Sequence, residues 1–91
     1  PKSSDLYKAA VYLLQENRDL EQAKSWMNQS LEMMEDPKFY QLRQQSLIYA
    51  ALEDYENAIA IAKVSLEKSI KAGNSDYEKM NLDSIENWSK M

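Results

Sequence analysis

Neither histidine nor cysteine occurs among the 91 residues, so acid–base work could fall only to carboxylates, lysines and tyrosines. The usual partners for an activated nucleophile and the usual zinc ligands are both missing. The carboxylates gather in two short groups, Glu32, Glu35 and Asp36, then Glu53, Asp54 and Glu56. Catalysis by paired carboxylates needs a cleft that drives their pKa values apart, and no pattern here marks one. A calcium loop needs alternating oxygen ligands around a glycine, and neither group has that form. Both groups instead fall where helices end and begin, where the helix dipole favours negative charge at N-termini. The sequence therefore predicts no enzyme, no metal and no cofactor. Asn28-Gln29-Ser30 and Asn87-Trp88-Ser89 match the glycosylation pattern but fall within predicted helices, and they are taken as incidental.

Charge narrows the partners. The net charge is −4, and lysines and arginines stand singly rather than in a stripe. A nucleic-acid binder needs a contiguous cationic footprint, so none is expected. No apolar run approaches the ~20 residues that cross a bilayer, so no membrane insertion is expected. The chain opens at Pro1 without an initiator methionine, which leads us to expect part of a longer protein.

The elements that must position any site are helices. One glycine and two prolines are too few for the turns of a β-rich domain. A chain this short buries roughly 60–65% of its unfolded surface, so its core is thin.

The sequence also repeats. A shift of 35 residues superposes Asp19 on Asp54, Glu21 on Glu56, Ala23 on Ala58, Ser30 on Ser65, Leu31 on Leu66 and Glu32 on Glu67. Chance would supply about one identity in that window. Stop and start signals divide the chain into a first unit over 4–36, a second over 37–73 and a closing helix over 75–90.

The first helix is predicted over Ser4–Glu16, with Leu6, Ala9, Ala10, Leu13 and Leu14 at helical spacing. Asp19 is expected to cap a second helix that runs to about Glu35, with Gln22 reaching back. Its apolar side is Leu20, Ala23, Trp26, Met27, Ser30, Leu31 and Met34. Asp36 and Pro37 are expected to cap and open a third helix carrying Phe39, Leu42, Ser46, Tyr49 and Ala50 on one face. Glu53 and Asp54 turn the chain into a fourth helix, with Tyr55, Ala58, Ile59, Ala62, Ser65, Leu66 and Ile70 inward. Gly73 is expected to end it in a left-handed conformation. Ser75 and Glu78 form a predicted capping box for the fifth helix, in which Tyr77, Met80, Asn81, Ser84 and Trp88 share a side. Met27, Met33, Met34 and Met80 would suit an adaptable binding surface, but at helical spacing beside Trp26 and Leu31 they are read as core.

A two-helix period near 34, with small residues at Ala23, Ser30, Ala58 and Ser65, resembles the tetratricopeptide repeat. Tyr7, Ala10-Val11 and Asp19-Leu20 fill further family positions in the first unit. Leu42, Gln45-Ser46, Tyr49 and Asp54-Tyr55 fill them in the second. The turn glycine of that family is replaced by Arg18 and Glu53, and its closing proline falls late, at Pro37. The segment from Tyr55-Glu56-Asn57-Ala58 through Ala72-Gly73-Asn74 to Tyr77, Met80-Asn81 and Trp88 also resembles the helical C-terminal tail of an uncharacterised family of secreted bacterial proteins. That second resemblance implies a periplasmic or exported parent with a β-rich domain ahead of this one.

The first resemblance implies an all-α solenoid of two antiparallel helix pairs plus a capping helix. It implies a protein-binding or scaffold role, with a peptide or partner protein in a groove lined by the first, third and fifth helices. On a 35-residue register the groove residues are Lys8, Tyr12, Tyr40, Arg43, Gln44, Leu47 and Lys79, with Asp5, Gln15, Ala51, Glu78 and Leu82 beside them. Lys8, Arg43 and Lys79 would form a cationic clamp for a peptide carboxylate if they converged, and scattered solvated cations are the plainer account. Tyr12, Tyr40 and Leu47 would be anchors for a partner, or surfaces packed by a neighbouring helix or domain. The alternative function is a C-terminal buttress that packs on an N-terminal domain of its own parent and has no separate partner. Trp88 and Met91 read as the apolar side of a capping helix, or as a patch for self-association through the last helix.

Overall fold

A computed structural model describes residues 1–91. It contains five helices and no strand: α1 (Ser3–Gln15), α2 (Leu20–Glu32), α3 (Phe39–Ala51), α4 (Tyr55–Lys71) and α5 (Ser75–Trp88). The expected all-α class and helix number are therefore found. Consecutive helices pack against one another throughout, and α3 also touches both α1 and α5. α2 and α4 do not touch. The result is one row of α1, α3 and α5, backed by α2 and α4.

Three of the four connections use the same device. Asn17, Glu53 and Gly73 follow the helix C-caps with φ of 51°, 62° and 69°. The next residue in each case donates its amide back into the last turn: Arg18 to Leu13, Asp54 to Tyr49 and Asn74 to Ser69, at 2.9–3.1 Å. These paired bonds satisfy carbonyls that a helix end otherwise leaves open. Glycine meets this backbone demand only at residue 73, as expected.

The caps themselves differ from expectation. Asp19 sits at φ 50° with no side-chain bond to the helix it precedes; its carbonyl alone receives the Ala23 amide, at 2.9 Å. Asp36 does not cap α3, which begins two residues beyond Pro37. Lys68 Nζ donates to the Asp36 carboxylate at 2.7 Å and to the Pro37 carbonyl at 2.6 Å, which straps residues 33–38 to α4. Gln41 accepts instead from the Lys38 amide at 2.8 Å, half of a capping box. Asn74, not Ser75, caps α5, accepting from the Tyr77 amide at 2.9 Å. Asp54 does cap α4, through the Asn57 amide at 3.3 Å.

Ala23 and Ala58, aligned by the 35-residue shift, are both fully buried. Small side chains there let paired helices approach to ~8–10 Å. Ser30 and Ser65 are fully buried too, and each does the same work. Ser30 donates to the carbonyl of Ser3 at 2.8 Å, and Ser65 to that of Phe39 at 2.8 Å. Each repeat serine thus pins the first residue of its partner helix. Those partner helices begin at residues 3, 39 and 75, a spacing of 36 rather than 35. The extra residue lies in the first turn, which runs from Glu16 to Asp19 where the second runs from Leu52 to Asp54.

The apolar core lies at one end. Ala10, Leu13, Ala23, Met27, Leu31 and Ile48 form a single cluster, flanked by Tyr7, Trp26, Leu42 and Leu52. Ile48 is a core residue that the expected α3 face omits. The other half is closed by small and polar groups, with Ala58, Ala62, Ser46, Ser65, Ser69 and Asn81 fully buried. Of the four methionines assigned to the core only Met27 is fully buried; Met33 and Met80 are exposed.

Candidate functional site

The middle helix of the row shows which residues face outward. On α3, Tyr40, Gln44, Leu47 and Ala51 stand at i, i+4, i+7 and i+11, one face of a helix, and none of them belongs to the apolar core cluster or packs against it. All four are exposed or half-buried. The 36-residue spacing carries this stripe to Ser4, Lys8, Val11 and Gln15 on α1, and to Asp76, Met80, Asp83 and Asn87 on α5. Every one of these is also exposed or half-buried. On that spacing the three stripes form one face, apolar at its centre through Tyr40 (45% exposed), Leu47 and Met80 (37%), with half-buried Val11 also packing against the core.

Of the seven residues expected in the groove, Lys8, Tyr40, Gln44 and Leu47 lie on this face. Tyr12 lies on the outer edge of α1, where the Arg18 guanidinium stacks 5.7 Å from its ring centre. Lys79 lies on the opposite edge, on α5, where it pairs with Asp83 at 3.0 Å. A depression of about 390 Å³ beside it is lined by Ser75, Glu78, Lys79, Leu82 and Asp83.

Arg43 turns from the face into the α3–α5 contact. Its Nη1 donates to Asn81 Oδ1 and to Ser84 Oγ, both at 3.1 Å. Asn81 Nδ2 in turn donates to Ser65 Oγ at 2.8 Å. Burial holds the Arg43 pKa below the usual arginine value, opposed in part by nearby Tyr77. Arg43 and Lys79 are each engaged by residues of α5, while Lys8 lines a separate depression beside Tyr7, so the three cations do not share one site.

The face has an aromatic border that the sequence pattern assigns elsewhere. The Phe39 ring meets Tyr40 edge-on at 5.4 Å and Tyr77 at 5.1 Å, joining α3 to α5. Tyr7 approaches from α1; burial, then Tyr77 and Tyr40, raise its hydroxyl above the ordinary tyrosine range. Next to Tyr7 a depression of about 510 Å³ opens between α1 and α3, lined by Lys2, Ser4, Lys8, Met34 and Gln41 among others. Asp76, Met80 and Asp83 are the members that a 35-residue register misses. The signal that finds them is the 36-residue offset between helix starts.

No three histidine, cysteine, aspartate or glutamate side chains converge as metal ligands would. No helix is long and apolar enough to cross a membrane. No protein-family model, no curated protein and no solved structure matches this chain.

Proposed function

We propose that the chain is a non-catalytic binding module that receives a peptide or partner protein on the outward face of α1, α3 and α5. The observation that carries this reading is the apolar centre formed by exposed Tyr40 and Met80 and half-buried Leu47, drawn from two helices and set among polar side chains. Aromatic and methionine side chains give contact area at low entropic cost and adapt to what they meet. The row of first helices, the small residues at Ala23 and Ala58 and the two helix pairs support the tetratricopeptide resemblance, which carries the same implication.

Backbone NMR of the ¹⁵N-labelled protein, titrated with a panel of apolar-centred peptides, tests it. Shifts gathered at Tyr40, Gln44, Leu47 and Met80 support a binding face. Shifts confined to α2 and α4, or none at millimolar peptide, would remove it.

A second reading is favoured by one observation of its own. Leu82 is 49% exposed on the free edge of α5, although the residues in its place on α1 and α3, Ala10 and Ser46, are fully buried. Self-association through that edge would cover it. Light scattering of wild type and Leu82→Ser decides: a mass that is monomeric in both removes pairing.

A further inference from the structure

The binding face is charged at its two sides and neutral in the middle. On α1 the stripe carries one charge, Lys8, with Lys2 lining the same depression. On α3 the stripe carries none. On α5 it carries Asp76 and Asp83. Asp83 is engaged by Lys79, whereas neither Lys8 nor Asp76 belongs to any of the five ion pairs of the molecule. Asp5, three residues before Lys8, forms no ion pair with it. Arg43 lies between α3 and α5, its charge met only by the neutral acceptors Asn81 and Ser84.

Neighbouring helices lie about 8–10 Å apart, so the α1 and α5 stripes are separated by roughly 16–20 Å. An extended chain rises about 3.3 Å per residue, so about six residues cover that width.

We infer that this face is polar across the row: it takes an extended segment lying over all three helices, with an acidic residue beside Lys8, an apolar residue on Tyr40 and Leu47, and a basic residue beside Asp76. This rests on the binding reading above and adds an orientation to it. Side-chain charge sets the orientation, so the segment lies with its acidic end on α1 whichever way its backbone runs.

Capped seven-residue peptides with leucine at the centre test this. One has glutamate first and lysine last, one has the two exchanged, and one has glutamine at both ends. A nitroxide label sits next to the acidic residue in the charged pair. Line broadening should gather at Ser4, Lys8 and Val11 for both charged peptides, since the label follows the acid. Lys8→Glu combined with Asp76→Lys should move the broadening to α5; both residues are exposed, so the fold should stand. At low ionic strength the charged peptides should bind about threefold to fivefold more tightly than the glutamine peptide, an advantage that salt removes. Equal broadening at both edges, or an orientation that ignores the charge swap, overturns the inference. If the glutamine peptide still shifts Tyr40, Leu47 and Met80, the binding reading survives that result. If no peptide shifts those residues, both fall.

Discussion

Ser65 and Asn81 meet in the buried seam between α4 and α5, with Asn81 Nδ2 donating to Ser65 Oγ at 2.8 Å. Ser65 passes its own hydrogen to the Phe39 carbonyl, and Asn81 receives one from Arg43, so a single chain of bonds joins three helices. No buried side-chain donor or acceptor is left unmatched anywhere in the molecule. Ser65→Ala removes the middle of this chain and strands the Asn81 amide out of reach of water. An expected cost is about 2 kcal/mol, since an unmet buried donor loses its full desolvation energy. Urea denaturation measures it, and a loss below about 0.5 kcal/mol would show that the bond contributes little.

The left-handed residues give a paired prediction. Nothing lies within 4 Å of the Cβ position of Gly73, so Gly73→Ala meets only backbone strain at φ +69°. A loss of about 1 kcal/mol is expected. Glu53 already bears that strain, so Glu53→Gly should stabilise by about 0.5 kcal/mol after the added freedom of the unfolded chain is deducted. Thermal melts that moved the two variants in the same direction would contradict this account.

The helices were legible because their apolar periodicity and breakers agree, and Ala23 and Ala58 because a tight crossing tolerates only small side chains. The face was half legible. Tyr40, Gln44 and Leu47 sit on one helix, where a period of 3.6 suffices to group them. Tyr12 and Lys79 were assigned through a 35-residue shift that holds between α2 and α4 but not along the row α1, α3, α5. One added residue rotates a helix by 100°, enough to move a side chain from a face to an edge. The direction of Arg43 was beyond reach, because its partners, Asn81 and Ser84, are set by how α5 docks. The caps at Asp19 and Asp36 failed for another reason: a left-handed backbone and a competing lysine took those carboxylates elsewhere.

Ala58 offers a direct test of the crossing. Ala58→Leu adds three carbons where no space exists and should cost about 1–3 kcal/mol or more. The same change at Ala60, which is exposed on the same helix, should leave stability almost unchanged. Equal melting temperatures for the two variants would mean that the helix pair has room to spare.

The strap between Lys68 and Asp36 should leave a trace in acid. The lysine's hydrogen bond and its charge, with a smaller contribution from Lys38, hold the Asp36 carboxyl below its usual range. A lowered folded pKa gives stability that is present above the unfolded value, about 3.9, and is lost as pH falls through the folded one. The stability difference between wild type and Asp36→Asn should therefore be constant near neutrality and shrink below about pH 4. A difference that held its size down to pH 2 would show that the strap owes nothing to the charge.

The unequal halves of the interior have a mechanical consequence. Hydrocarbon closes the N-terminal end, while hydroxyls and amides that water can satisfy equally well close the other. Detaching the last helix would exchange the bonds of Asn81 for solvent bonds and part the Phe39–Tyr77 rings, but would take no residue out of the apolar cluster. The molecule should behave less like a sealed globule than like a book with a firm spine and one loose cover, able to lift that cover without opening the spine.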